Sequence, residues 1–243
     1  MRIKVINPNT TLSMTEKIGE AARTVVSNTT EIIALSPDDG VASIEGHLDE
    51  AVAAMGVLDV IRQDNNESDA YIIACFGDPG LLAARELTDR PVLGVAEAAM
   101  HAATFVGSGF SIVTTLARTI NIARHLVLLY GMNEHCRRIR ASELEVLALE
   151  DPKSDAFKII LEECQKAVQE DECNAIVLGC AGMADLTKNL SAELKIPVID
   201  GVVAAVGFAE ALVRMGLKTG KMHDLAFPLK KSYSGIYAPF SSK

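Results

Sequence analysis

Two cysteines stand where an apolar run breaks into glycine: Cys75 in AYIIACFGDPG (residues 70–80) and Cys180 in AIVLGCAGM (residues 175–183). A cysteine inside such a run is ordinary core, since free Cys is among the most buried residue types. At the break, with glycines that let the backbone come close to a ligand, it is a candidate for chemistry. A free thiol titrates near pH ~8.5 and falls when it sits at a helix N-terminus. Cys75 precedes FGDPGLLAARELT and Cys180 precedes AGMADLTKNL, both read as helix starts, so amide N–H groups and the dipole are expected to favour a thiolate.

A thiolate on one face of a stereogenic carbon can take its proton while a thiol on the opposite face returns one. That exchange inverts configuration without a cofactor. The carbanion needs an adjacent carbonyl, and donors must meet the developing enolate oxygen. The backbone of Gly77, Asp78, Gly182 and Met183 is expected to supply them, with the Asp78 side chain a further acceptor for a ligand N–H. Asp78 also precedes Pro79 and could instead cap the helix beginning there.

Elements must bring the two thiols together. Apolar runs predict strands near 2–7, 31–35, 71–75, 91–95, 110–114, 144–149, 175–179 and 196–199, with helical patterns between them, such as Leu12 to Val26 and Leu116 to Tyr130. Alternation of this kind implies parallel sheets with covered faces. The chain also repeats. IKVINPNT lies opposite FSIVTT, with Thr10 against Thr115, and Cys75 lies opposite Cys180, both at an offset of 105; Pro91 matches Pro197 at 106. A duplicated βα unit follows. The expected fold is α/β, with two pseudo-symmetric lobes of parallel βα sheets and the active site in the cleft between them. The lobes are expected at 1–98 and 99–205, with 206–243 packing back on the first. Ligands of open parallel sheets bind beyond the carboxyl ends of the strands, so facing lobes would point both thiols into one cleft.

The rest of the composition narrows the classes. The net charge of -9, without a basic cluster, opposes nucleic-acid binding. Tryptophan is absent and aromatics make up 5%, too few for a stacking platform. The uncharged stretch between Glu97 and Arg118 is interrupted by Gly, Ser, Thr and His101 and reads as helix, loop and strand, so no membrane span is expected. Without a signal segment, the expected location is cytoplasmic. Five cysteines with no C-x-x-C pair read as thiols, with no metal site, and Cys136, Cys164 and Cys173 as core. His47 and His101 read as local hydrogen-bonding residues.

Several segments carry a resemblance to a known family: VINPNT, SIEGH (43–47), ACFGDPGL, GVAEAAMH, FSIVTT and IVLGCAGM. Together they resemble the aspartate/glutamate/hydantoin racemase superfamily, and within it the hydantoin and allantoin racemases, over essentially the whole chain. The resemblance implies a two-lobed fold, no pyridoxal phosphate, no metal, and Cys75 and Cys180 as the two proton carriers. It implies that Asn9, Thr114 and Thr115 line the cleft, that the loop carrying Ile44 forms a wall, and that the chain is a homo-oligomer, dimer-based up to a hexamer. Amino-acid racemases of this type follow their cysteines with polar Asn-Thr and Thr-His. This chain has Phe76-Gly77-Asp78 and Ala181-Gly182-Met183, which suits a neutral hydantoin ring better than a zwitterion. The tail HDLAFPLKKSYSG (223–235) is similar to that of allantoin racemases. The alternatives are an amino-acid racemase, a maleate isomerase, an arylmalonate-type decarboxylase or, from another class, a small-molecule binding protein.

Overall fold

Segments such as Ala70–Ile73 and Ala175–Leu178 are apolar at every position, the pattern of strands covered on both faces. In the computed structural model, which describes residues 1–151 and 153–241, they are inner strands of two parallel four-stranded sheets. The first sheet holds β1 (Arg2–Ile6), β2 (Glu31–Leu35), β3 (Ala70–Ile73) and β4 (Val92–Gly94), in the order β2-β1-β3-β4. The second holds β5 (Phe110–Thr114), β6 (Cys136–Ala141), β7 (Ala175–Leu178) and β8 (Val198–Ile199), in the matching order β6-β5-β7-β8. Each therefore reverses direction once, between β1 and β3 and between β5 and β7, where parallel sheets open a crevice at their carboxyl ends.

The intervening helices are α1 (Leu12–Arg23), α2 (His47–Gln63), α3 (Leu81–Leu87), α4 (Val95–Val106), α5 (Ile120–Leu129), α6 (Ala156–Glu170), α7 (Thr187–Leu194) and α8 (Gly201–Arg214). Val57, Ile61, Leu81 and Ala84 of α2 and α3 cover one face of the first sheet. Ile160, Cys164, Ala167 and Leu190 of α6 and α7 do the same for the second. The other faces are covered by exchange. Val202, Ala205, Val206 and Ala209 of α8 pack with Ile3, Val5, Ala70 and Ile72 of the first sheet. Ala96, Ala99, Met100 and Ala103 of α4 pack with Phe110, Ile112, Ala175 and Val177 of the second. Each crossing helix is rich in alanine, which lets it lie close to a sheet on one side and to its counterpart on the other. Beyond α8, Lys218 pairs with Asp89, and the Lys221 ammonium donates to the carbonyls of Arg85 and Glu86, closing the last turn of α3.

The structure corrects four expectations. Residues 144–149 are not a strand: Val146–Glu150 form a 3-10 turn whose Val146 and Leu149 are buried. The edge strand is β6, CRRIRA, whose charged side chains hid it and suit an exposed sheet edge. The helix expected from Leu12 to Val26 ends at Arg23, and that from Leu116 to Tyr130 is a 3-10 turn, Ala117–Thr119, followed by α5. The repeat is also set differently at its first strands. Ile3 lies beside Ala70 and Phe110 beside Ala175, an offset of 107 rather than 105. Thr114 thereby matches Asn7, and Thr10 is not the counterpart of Thr115. A slip of two residues keeps the same side chains on the same face, so hydrophobic pattern alone could not reject it.

Among the described residues no helix is long and apolar enough to cross a membrane.

Candidate active site

At the carboxyl ends of β3 and β7 the chain makes the same turn twice. The Asp78 N–H donates to the Cys75 carbonyl at 2.9 Å, and the Met183 N–H donates to the Cys180 carbonyl at 3.1 Å. One residue earlier, the N–H groups of Gly77 and Gly182 donate to the sulfurs of Cys75 and Cys180. A local turn thus presents each thiol at a strand end and gives it one amide donor.

Cys75 and Cys180 line a single narrow cleft with about 50 Å³ of room, space for roughly four water molecules. The lobes contribute matching walls. Asn9 follows β1, Thr114 ends β5 and Thr115 follows it, so all three stand at the points where strand order reverses, and all three line the cleft, as do Gly77 and Gly182. Ile44 and Gly46 close one side from the loop before α2, and Val146 faces them from the 3-10 turn. The Val146 N–H donates to the Glu45 carboxylate at 2.9 Å, tying the two walls together.

Local bonds orient the polar groups. The Asn9 amide oxygen accepts from the Asn7 side chain at 2.8 Å and from the Thr11 N–H at 2.9 Å, which leaves its NH2 against the Met14 sulfur at 3.2 Å. The Thr114 hydroxyl donates to the Gly179 carbonyl at 3.3 Å and meets the Thr119 hydroxyl at 3.0 Å.

Two of the expected residues lie outside the cleft. Asp78 is buried behind it, where its carboxylate accepts from the N–H groups of Ala96 and Glu97 at 3.0 and 2.9 Å and from the Tyr130 hydroxyl at 2.7 Å. It caps α4 rather than the helix after Pro79. Met183 is fully buried in the core beneath the second sheet. The backbone donors expected for an enolate oxygen are also engaged: those of Gly77 and Gly182 by the sulfurs, those of Asp78 and Met183 by the turns.

The thiols differ from expectation in their proton affinity. α3 begins only at Leu81, and the segment after Cys180 is a 3-10 turn, Ala181–Leu186, so neither sulfur sits on the first turn of an α-helix. Burial dominates. It pushes the Cys180 thiol up to about 11, against the lowering effect of the Gly182 amide. Cys75 is pushed higher still, and negative charge on Cys180 raises it further.

One residue was missed in the sequence. Glu50 of α2 reaches the cleft beside Gly77, and only the packing of α2 across the strand-end turn brings it there. Among the described residues no cluster of three or more His, Cys, Asp or Glu side chains could hold a metal ion.

A model of the Asp/Glu/Hydantoin racemase family matches residues 3–209. The chain belongs to that family. As a member of the Asp/Glu/hydantoin racemase family it is an isomerase. The chain is 46% identical over 241 residues, 99% of its length and 97% of the relative's, to a hydantoin racemase of Pseudomonas sp. (strain NS671). Its structure superposes on an allantoin racemase from Klebsiella pneumoniae with a TM-score of 0.97 at 57% identity, covering 99% of both chains. An allantoin racemase from Pseudomonas fluorescens gives 0.94 at 41% identity, covering 97% of this chain and all of that one.

Proposed function

We propose that the protein is a cofactor-independent racemase of 5-substituted hydantoins, with allantoin as its substrate, and that Cys75 and Cys180 exchange the C5 proton. The observation that carries this reading is the pair of matched strand-end thiols lining one narrow cleft from opposite sheets. The allantoin racemase from Klebsiella pneumoniae, 57% identical, supports the choice of allantoin, as does the tail at 223–235. The 46% identical hydantoin racemase supports the ring.

The chemistry follows from the burial of the thiols. A hydantoin C5–H is a weak acid, and a thiolate raised to about 11 is a stronger base than one in water, so its proton affinity moves toward that of the carbon. In one direction the Cys180 thiolate removes the C5 proton and the Cys75 thiol delivers its own to the opposite face; in the other, the roles exchange. Charge passes from C5 into the adjacent ring carbonyl. Because the Gly77 and Gly182 amides serve the sulfurs, the Asn9 amide and the Thr115 hydroxyl are the donors for the ring oxygens, and the Thr114 oxygen, whose proton goes to the Gly179 carbonyl, accepts from a ring N–H. Ile44 forms the wall against which the ring lies flat.

The test is deuterium exchange at C5 in D2O, followed by NMR, with loss of optical rotation measured alongside on allantoin, benzylhydantoin and aspartate. Allantoin is expected to racemise fastest and aspartate not at all. Cys75→Ser and Cys180→Ser are each expected to abolish racemisation, with exchange surviving on one enantiomer at most. Full turnover by either variant would refute the two-base assignment.

A further inference from the structure

A two-thiol racemase finishes each turnover in the wrong protonation state for the next. Once Cys180 has taken the C5 proton and Cys75 has given its own, Cys75 is a thiolate and Cys180 a thiol. Before the same enantiomer can react again, one proton must reach Cys75 and one must leave Cys180. This problem arises only if the two-cysteine reading above holds, and the surroundings of the two sulfurs differ in how they could solve it.

Near Cys180 the carboxylates are Glu45 and Glu150. Both are engaged: Glu45 accepts from the Val146 N–H at 2.9 Å, and Glu150 accepts from the Lys17 ammonium at 3.0 Å. On the Cys75 side stands Glu50, a lining residue of the cleft itself. Its Oε1 sits so close to Gly77 that it leaves no room for a Cβ there, and the Gly77 N–H holds the Cys75 sulfur. Its other oxygen meets His47 Nδ1 at 3.3 Å. The Glu50 side chain is 18% exposed and that of His47 is 72% exposed. A path therefore runs from bulk water through an exposed imidazole and a sheltered carboxyl to the strand-end turn.

We propose that Glu50, backed by His47, returns the proton to Cys75 between turnovers, and so resets the enzyme without touching the reacting carbon. The step balances with water alone. The Glu50 carboxyl passes its O–H proton over one bridging water to the Cys75 sulfur. The carboxylate recovers a proton from the His47 imidazolium, which takes one from bulk water, and the Cys180 thiol releases its proton to water in the cleft. Burial raises the Glu50 carboxyl above its ordinary range, against the lowering effect of His47, which keeps a transferable proton on it closer to neutrality. The other groups facing it are Asp49 on its own helix and His125 of α5, with Cys75 across the turn.

The resetting step has a kinetic signature. At low substrate the free enzyme has time to equilibrate its protons, so kcat/KM does not report the step; at saturation kcat does. Glu50→Gln is expected to lower kcat for either allantoin enantiomer about tenfold, less than the ~10²–10⁴-fold of a general acid at the reacting atom because water can carry part of the relay, while kcat/KM stays within about twofold. Formate, a small carboxylic acid, is expected to restore kcat to Glu50→Gln in proportion to its concentration, and Glu50→Asp to retain most of it. His47→Asn is expected to show the same split at smaller size, because water can replace an exposed imidazole. A parallel fall of kcat and kcat/KM, an unchanged kcat, or no response to formate would each overturn the relay. The cysteine variants are scored separately. If both lose racemisation while Glu50→Gln fails to split the parameters, the relay alone has failed.

Discussion

The two lobes share strand order, strand-end turn and thiol, but they differ in what surrounds that turn. After β3 the third residue of the turn is Asp78, which takes the left-handed conformation (φ 45°) and reaches back to cap α4. After β7 the third residue is Met183, which fills the core. The helix equivalent to α4 is α8, and its cap is its own Asp200, accepting from the Val202 N–H at 2.8 Å. The same structural need, an acceptor for the first amides of a crossing helix, is met from a distant loop in one lobe and from the adjacent residue in the other. Duplication thus preserves the geometry that aims a thiol and leaves the supporting residues free to diverge. The cleft becomes asymmetric, with a sheltered carboxyl beside Cys75 and engaged carboxylates around Cys180.

Thiol alkylation followed by peptide mapping sharpens this comparison most. With Cys180 lifted to about 11, its alkylation rate is expected to climb about tenfold per pH unit from 7 to 10, about a thousandfold in all, because only the thiolate reacts. Cys75 should react more slowly throughout that range. A plateau well below pH ~8.5 at either residue would show that the helix-terminus expectation was right and burial unimportant.

The crossing helices offer the next largest effect. They meet where Val95 opens α4 and Gly201 opens α8, and a Cβ at 201 would fall 2.5 Å from the Val95 carbonyl oxygen. Backbone cannot swing aside as a side chain can, so Gly201→Ala is expected to cost on the order of 3 kcal/mol in unfolding free energy by denaturant titration.

Asp78→Asn is expected to cost roughly 2 kcal/mol, since a buried acceptor of three hydrogen bonds is impaired, while Asn tolerates the left-handed backbone. The variant also tests a pH effect. Burial lifts the Asp78 carboxyl from 3.8 to about 7, so the folded state holds this proton more tightly than the unfolded state. The stability linked to it is fully present below pH 4 and is lost as pH rises through 7. Wild type should show that decline in unfolding free energy, and Asp78→Asn should not. The smallest effect belongs to the other lobe: Asp200→Ala, losing a local cap, is expected to cost about 1 kcal/mol. Equal costs for the two caps would remove the asymmetry argued above.

Much of this architecture could be read in advance, and the failures have physical causes. The apolar runs at Ala70–Ile73 and Ala175–Leu178 marked the inner strands because strands covered on both faces must be apolar throughout. Cys75 and Cys180 were recognisable because a turn of glycine and small residues has to follow a strand that ends at a ligand. The β6 edge strand was missed because its arginines satisfy no apolar pattern, although the repeat offset of 105 applied to Glu31 in β2 lands on Cys136. The buried Val146 and Leu149 read as a strand because they lie in a short apolar run, whereas they serve to cover the core from a 3-10 turn.

By itself the amino-acid sequence determined the periodicity, the turn chemistry and the duplication, since these depend on residues near one another along the chain. Tertiary structure alone decided which sheet each crossing helix covers, that Asp78 faces α4 instead of the cleft, that Glu50 stands beside Gly77, and that burial raises both thiols. Each of those outcomes depends on contacts between residues far apart in the chain and on how much protein excludes water from a group, quantities that no local pattern carries.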